Sequence, residues 1–296
     1  MDASISIRYM TICWLILYRW HVLSKSWINM KGLNRKGGWD MEWDITLILI
    51  VIAFGFLAAF IDAVVGGGGL ISIPALLSIG LSPAVALGTN KLASSFGSLT
   101  SALRFLRAGH VDIKIVLRLV PLIFILSMGG ATLATMLPSQ LLKPIVIVVL
   151  TLVLIYTLFK KEWGDVRTFQ RLTVIKAIIF AALMGLIGFY DGFLGGGTGS
   201  FMLFVLLMFG FDFLSAAGNA KVLNFASNIG ALILFMILGQ VNYLYGLVMA
   251  ASMIAGSFVG AQFAISKGVG YVKALFVIVT LLLIIKNTYD YIMQLL

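Results

Sequence analysis

The sequence predicts an all-α polytopic membrane protein made of two tandem homologous repeats. Of 296 residues, 61% are hydrophobic and only 11% are charged, too little charge to cover a soluble domain of this length. Apolar runs of about twenty residues recur, each long enough as a helix to cross ~30 Å of hydrocarbon. The two halves of the chain also carry the same motifs in the same order. Backbone groups in lipid must be paired within their own segment, so the spans are helices; a barrel strand's alternating pattern is not seen.

Composition excludes several function classes. Cys13 is the single cysteine and His21 and His110 the two histidines, so neither a disulfide framework nor a zinc or haem constellation can be assembled. No cofactor is expected. The net charge of +10 does not indicate nucleic acid, because Lys and Arg sit mostly in a few short loops, where they set membrane orientation.

Residues 1–43 form a basic N-terminal extension carrying Arg8, Arg19, Lys25, Lys31, Arg35 and Lys36. Thr11–Val22 is too short and too charged for a span or a signal core. The chain is expected to start natively at Met41, where Met-Glu-Trp-Asp leads into a long apolar run. A basic arm lying on the membrane surface is the alternative.

Repeat 1 covers 44–160, a cytoplasmic linker 161–174, and repeat 2 covers 175–296. Asp62-Ala-Val-Val-Gly66-Gly67-Gly68 matches Asp191-Gly-Phe-Leu-Gly195-Gly196-Gly197. One inserted residue later, Gly88-Thr89-Asn90-Lys91 faces Gly218-Asn219-Ala220-Lys221, and Gly109-His110-Val111-Asp112 faces Gly239-Gln240-Val241-Asn242. Register held over so long a stretch marks a duplication.

Each repeat opens with a glycine-interrupted segment, near 44–80 and 175–210. Three ordinary spans come next, near 84–106, 115–137 and 141–159, then 214–238, 243–265 and 271–293, about eight membrane segments in all. The opening segments are awkward: some 35 helical residues would reach ~52 Å, too long for one span and too short for two. Glycine costs about 1 kcal/mol per helical residue, so the helix breaks at the run. Either the broken helix still crosses, or it forms a re-entrant hairpin.

Loop charge favours the hairpin. The loop near 104–118 carries Arg104, Arg107, Lys114 and Arg118, whereas its counterpart near 234–248 has no Lys or Arg. A hairpin plus three crossings is an odd number, which inverts repeat 2 and gathers the basic loops on the cytoplasmic side. A parallel arrangement with eight crossings stays open.

The candidate site is read from the polar residues stranded in these apolar segments. Asp62 and Asp191 precede the glycine runs, and Lys91 and Lys221 lie inside the next spans. Ionisable groups at membrane depth usually face a partner or a water-filled cavity. Pairing is expected within each repeat, Asp62 with Lys91 and Asp191 with Lys221. Gly66, Gly67, Gly68 and Gly69, with Gly195, Gly196, Gly197, Thr198 and Gly199, expose backbone amides where a half-helix begins, a ready anion site. Asn90, Ser94, Ser95 and Ser98 flank the first lysine in a polar stripe, Asn219, Asn224, Ser227 and Asn228 flank the second, and Lys221, Asn224 and Asn228 share one helix face. In a plainer reading these charges only latch the broken helices or cap them. Gly129, Gly130, Gly256 and Gly260 are read as helix packing.

At these residues the sequence resembles the TauE/SafE sulfite exporter family of membrane permeases, nearest its YfcA-like branch. The carrying stretches are Gly55–Lys91, Gly188–Ser200 and Gly218–Gly230. The resemblance implies a multi-pass protein of the bacterial inner membrane that moves small anions, sulfite- or sulfonate-like or related organic anions. It also places Asp62, Asn90, Lys91, Asp191, Lys221, Asn224, Asn228 and the glycines at signature positions. The function expected is a secondary transporter, not an enzyme, with proton coupling suggested by the buried carboxylates. A passive channel or a structural membrane protein is the alternative. The expected partners are a small anion and the lipid bilayer, not nucleic acid, with a homodimer left open.

Overall fold

The computed structural model describes residues 45–136, 167–169 and 173–267, with helical positions at 278, 281 and 285. The chain divides into Met1–Asp44 and Ile45–Leu296, and every described helix belongs to the second unit. The N-terminal extension, the span near 141–159, and most of the span near 271–293 and of the linker lie outside the described residues.

Eight long helical segments are described: α1 (Ile45–Val65), α2 (Gly69–Ser78), α3 (Pro83–Arg107), α4 (Ile113–Ala134), α5 (Val174–Phe193), α6 (Thr198–Met208), α7 (Phe213–Ile237) and α8 (Tyr243–Lys267). Five of them (α1, α4, α5, α7 and α8) are long and apolar enough to cross a membrane. Large apolar side chains such as Leu49, Leu117, Ile125, Ile178, Leu186 and Leu247 are exposed on their outer faces. An apolar exterior this extensive suits lipid rather than water. The protein is an all-α polytopic membrane protein.

The 25-residue α3 is long enough to span, at ~37 Å, but too polar to stand among the five apolar spans. Its Thr89, Asn90, Lys91, Ser95, Ser98 and Ser101 are nonetheless all buried. The polarity that weakens its hydropathy is turned into the protein. The half-helices α2 and α6, at 10 and 11 residues, reach only ~15 Å.

Turns in the two halves use the same chemistry. Gly80 and Gly210 end the half-helices, and Gly109 and Gly239 end α3 and α7, all with left-handed φ. The residues after the latter pair close the helix ends, His110 N–H donating to Phe105 O and Gln240 N–H to Phe235 O, the bond of a glycine-terminated helix. Asp212 caps α7 by accepting the Ser215 amide at 2.9 Å, whereas Pro83 opens α3 after Ser82.

The chain turns back at the first glycine run. Gly68 sits against the Ala58 carbonyl of α1, and Leu76 of α2 belongs to one apolar cluster with Val51, Ala58 and Met249. Those are the contacts of a hairpin. The halves also exchange neighbours. α8 lies along α1, with Gly256 and Gly260 against the Phe56 and Phe60 carbonyls, and α4 lies along α5, with Gly130 against the Phe189 carbonyl. No Cβ would fit at these three contacts, the close approach that small residues give membrane helices. Gly129 meets only the Phe189 ring at ordinary distance.

At the centre α3 and α7 cross in opposite directions. Gly88 near the start of α3 abuts Phe235 and Gln240 at the end of α7, and Gly218 near the start of α7 abuts Phe105 and His110 at the end of α3.

Candidate functional site

The two broken segments meet each other. Gly66 and Gly67, then Gly195 and Gly197, have φ between +77° and +95°, a region glycine adopts without a Cβ penalty. A Cβ on Gly66 would run into the backbone of Gly199 and Ser200, and one on Gly69 would stand 2.9 Å from the Gly195 carbonyl oxygen. The glycine runs therefore do two things: they break the helix and let the two breaks touch.

The pairing of charges differs from the expectation. Lys91 does not pair with Asp62, nor Lys221 with Asp191. Lys91 Nζ lies 2.9 Å from Asp191 Oδ2, and Lys221 Nζ lies 2.7 Å from Asp62 Oδ2. The reason is the exchanged packing: each aspartate-bearing helix is flanked by the other half's helices, so it presents its carboxylate to the opposite lysine. Helix order along the chain cannot reveal that crossing.

Each carboxylate has a second partner. Asp62 Oδ1 accepts the Gly68 amide at 3.2 Å, so it also caps the break in its own half. Asp191 Oδ2 accepts the Ser227 hydroxyl at 2.5 Å. Lys91 donates further to Asn228 Oδ1 at 3.1 Å, and Asn228 donates to Asn224 Oδ1 at 3.1 Å. Asn90 Oδ1 accepts from Ser72 at 2.6 Å and from Ser94 at 3.4 Å. The Thr198 hydroxyl is buried without a partner among the described residues, whereas Ser200 is committed to the Val65 carbonyl at 3.1 Å. Tyr190 holds the second break by donating to Gly196 O at 2.7 Å.

A narrow cavity of about 20 Å³, room for little more than one water, lies between the breaks. Asp62, Gly68, Gly69, Asn90, Lys91, Ser94, Asp191, Gly195, Asn224 and Asn228 line it, and all were expected from the sequence. Gly66, Gly67, Gly196, Gly197, Thr198 and Lys221 are not in its wall; Gly66 joins the breaks, and Lys221 stands behind Asp62. Gly199 of the wall was expected too, among the residues exposing amides at the second break, whereas the sequence reading missed Gly97, Met253 and Ser257. Met253 and Ser257 come from α8, whose place beside α1 is another consequence of the exchange. Ser227 stood in the polar stripe of α7, but nothing in its spacing says that it reaches Asp191.

The four charges sum to zero, and each is buried or partly buried. Such a set is costly to desolvate and is held only by mutual pairing and hydrogen bonds. What it offers chemically is a place where a small charged guest can exchange one partner for another, with asparagine amides and half-helix amides as further donors.

Residues 51–287 match the family described as Sulfite exporter TauE/SafE. Among curated proteins, a Sinorhizobium protein named "Probable membrane transporter protein ORF9" is 40% identical over 255 residues, 85% of this chain and 95% of its own. A Haemophilus influenzae "Probable membrane transporter protein" is 38% identical, over 84% of this chain and 98% of its own. The Escherichia coli K12 "Probable membrane transporter protein YfcA" is 36% identical, over 82% and 91%. No solved structure matches. Similarity that runs through both broken segments and covers these relatives almost end to end makes the chain a member of the TauE/SafE sulfite exporter family, among its YfcA-like membrane transporters.

Proposed function

We propose that the protein is a secondary transporter of small anions of the sulfite or sulfonate kind, coupled to protons and working in the bacterial inner membrane. The observation that carries this reading is the crossed pair of ion pairs, Lys91–Asp191 and Lys221–Asp62, set around one cavity where two half-helices begin. Lysines and half-helix amides supply what an anion needs, and the carboxylates hold those lysines when no anion is present. Asn90, Ser94, Asn224 and Asn228 orient the guest, and Thr198 adds a hydroxyl at the start of α6.

The opposed directions of α3 and α7, equivalent helices of the two repeats, support an inverted arrangement in the membrane. Alternating access would then be a rocking of one repeat against the other around a fixed site. The chemistry is binding and release rather than bond making, so no catalytic residue is assigned.

Counterflow tests the reading. Proteoliposomes loaded with unlabelled sulfite should accumulate external radiolabelled sulfite transiently, as only a carrier does, and Lys221→Gln should lower the initial rate at least tenfold. Sulfite entry without saturation or exchange would mean a channel, and no sulfite movement by either route would remove sulfite as substrate.

A further inference from the structure

The two ion pairs are not equivalent, and we propose that the proton accompanying an anion is carried by Asp62 rather than Asp191, Lys221 being the cation that the anion then meets. The anion itself rests on the transporter reading above; the assignment of the proton rests on how the two pairs are enclosed.

Charge balance requires the proton. Two aspartates and two lysines sum to zero, so an anion entering alone leaves a net negative charge in a largely buried site. Uncompensated buried charge is among the most costly states available to a membrane protein. A proton taken up with the anion restores zero. It binds a carboxylate oxygen, the ion pair with the lysine is lost, and the ammonium keeps its charge for the anion. Release reverses both steps.

Asp191 is poorly placed for this. Its side chain is 1% exposed, and Oδ2 already accepts both Lys91 and the Ser227 hydroxyl. The position equivalent to Ser227 in the first half is Gly97, which has no hydroxyl to give Asp62. Both carboxylates line the cavity, but Asp62 is 22% exposed against 1% for Asp191, so Asp62 is the one with surface open to water.

The lysines differ in the same sense. Lys91 spends its protons on Asp191 and Asn228. Lys221 is equally buried, yet Asp62 is its single polar partner among the described residues. Its Nζ lies 3.3 Å from where a Gly199 Cβ would stand, at the first turn of α6. There the amides have no partner within the helix, and the neighbouring Thr198 hydroxyl is buried and unpaired among the described residues. Once Asp62 is neutral, Lys221, those amides and Thr198 together present donors with no carboxylate charge paired to the lysine. The charged groups facing Asp62 are Lys221 from α7 and, across the cavity, Lys91 from α3 and Asp191 from α5; α2 and α6 carry none, and Lys267 closes the last turn of α8.

Infrared difference spectra, acid minus neutral, of protein in phosphatidylethanolamine–phosphatidylglycerol vesicles test the assignment without any transport. The wild type should show a protonated-carboxyl C=O band that Asp62→Asn lacks and Asp191→Asn retains. Ser227→Ala, which keeps both charges, is read beside Asp191→Asn in case that variant does not fold, and it too should retain the band. A band that survives Asp62→Asn, or no band in the wild type, overturns the proposal. In the same vesicles an inward proton gradient should stimulate radiolabelled sulfite uptake several-fold in the wild type and Asp62→Glu. The stimulation should vanish in Asp62→Asn. Uptake that stays gradient-stimulated in Asp62→Asn defeats the proton assignment and leaves the transporter standing. No uptake by the wild type defeats sulfite as substrate, and the infrared result then decides Asp62 alone.

Discussion

The two halves of the molecule carry the same parts and finish them differently. Beside Gly97 of the first half, Met253 and Ser257 of α8 leave a cavity open. The equivalent place in the second half holds Ser227, Ile123 and Ser127. There Ile123 is fully buried, and the Ser127 hydroxyl donates to the Ser227 carbonyl. One half-site is hollow and the other is filled. The difference teaches that two halves with matching motifs need few substitutions to leave one place open and make the other a clamp. The clamp keeps a full ion pair because an unpaired lysine cannot stay buried cheaply, whether or not it still meets a guest.

The largest effects come from breaking the charges that join the halves. Removing one member of a buried pair strands the other and costs about 3–5 kcal/mol, so Lys91→Met and Lys221→Met should each lower the melting temperature in detergent by many degrees. Charge exchange then reads the connectivity. Asp62→Lys with Lys221→Asp rebuilds the crossed pair and should recover most of the melting temperature. Asp62→Lys with Lys91→Asp rebuilds a pair that exists only if the halves do not exchange neighbours, and should recover none. The opposite ranking would restore the uncrossed pairing that the sequence suggests.

Intermediate effects come from making the two halves alike. Ser227→Ala removes a hydrogen bond to a carboxylate and should cost about 1.5–3 kcal/mol, read as a lower melting temperature. Gly97→Ser gives the first half the hydroxyl that the second half has. Its Cβ would stand 3.1 Å from Ser257 Oγ and 3.4 Å from Met253 Cβ, tight but tolerable with a small shift of each. Replacing a mid-helix glycine favours the helix by a few tenths to about 1 kcal/mol. Stability should therefore hold or rise while sulfite exchange falls at least tenfold, because the cavity is filled and Asp62 gains a donor. Unchanged exchange would show that Gly97 is a packing contact only.

Most of the architecture was legible because it is written in local terms. Glycine runs break helices wherever they occur, Gly80, Gly109, Gly210 and Gly239 end them, and lengths near twenty set the spans. The site was legible in composition, since Asp62, Lys91, Asp191 and Lys221 have no reason to lie in apolar segments unless they meet. Who meets whom was not legible. Lys91 and Asp62 are closer along the chain than Lys91 and Asp191, and sequence distance says nothing of an exchange in which α8 lies on α1 and α4 on α5. For the same reason Met253 and Ser257 could not be assigned to the cavity, and Ser227 passed for one more polar residue in a stripe.

The smallest effect is expected where the halves differ at their surface turns. In the first half Asp112 gives its amide to Asn219 Oδ1 at 2.8 Å, and its carboxylate pairs with Arg167 at 3.0 Å. The second half makes the same amide bond, Asn242 N–H to Thr89 Oγ1 at 2.9 Å, but Asn242 has no charge to offer and caps the Tyr245 amide instead. Asp112→Asn would make the two turns alike in charge while keeping the shape and the amide bond to Asn219. Arg167 is exposed and Asp112 partly so, at 41% and 27%, so the pair is worth about 0–1 kcal/mol and is screened at physiological salt, where charges fade over roughly 8 Å. The variant should melt within a few degrees of wild type at low salt and indistinguishably from it at high salt. A larger loss that salt does not remove would mean that the Asp112–Asn219 connection is held by the charge, and that the outer turns, like the inner pairs, are built unequally.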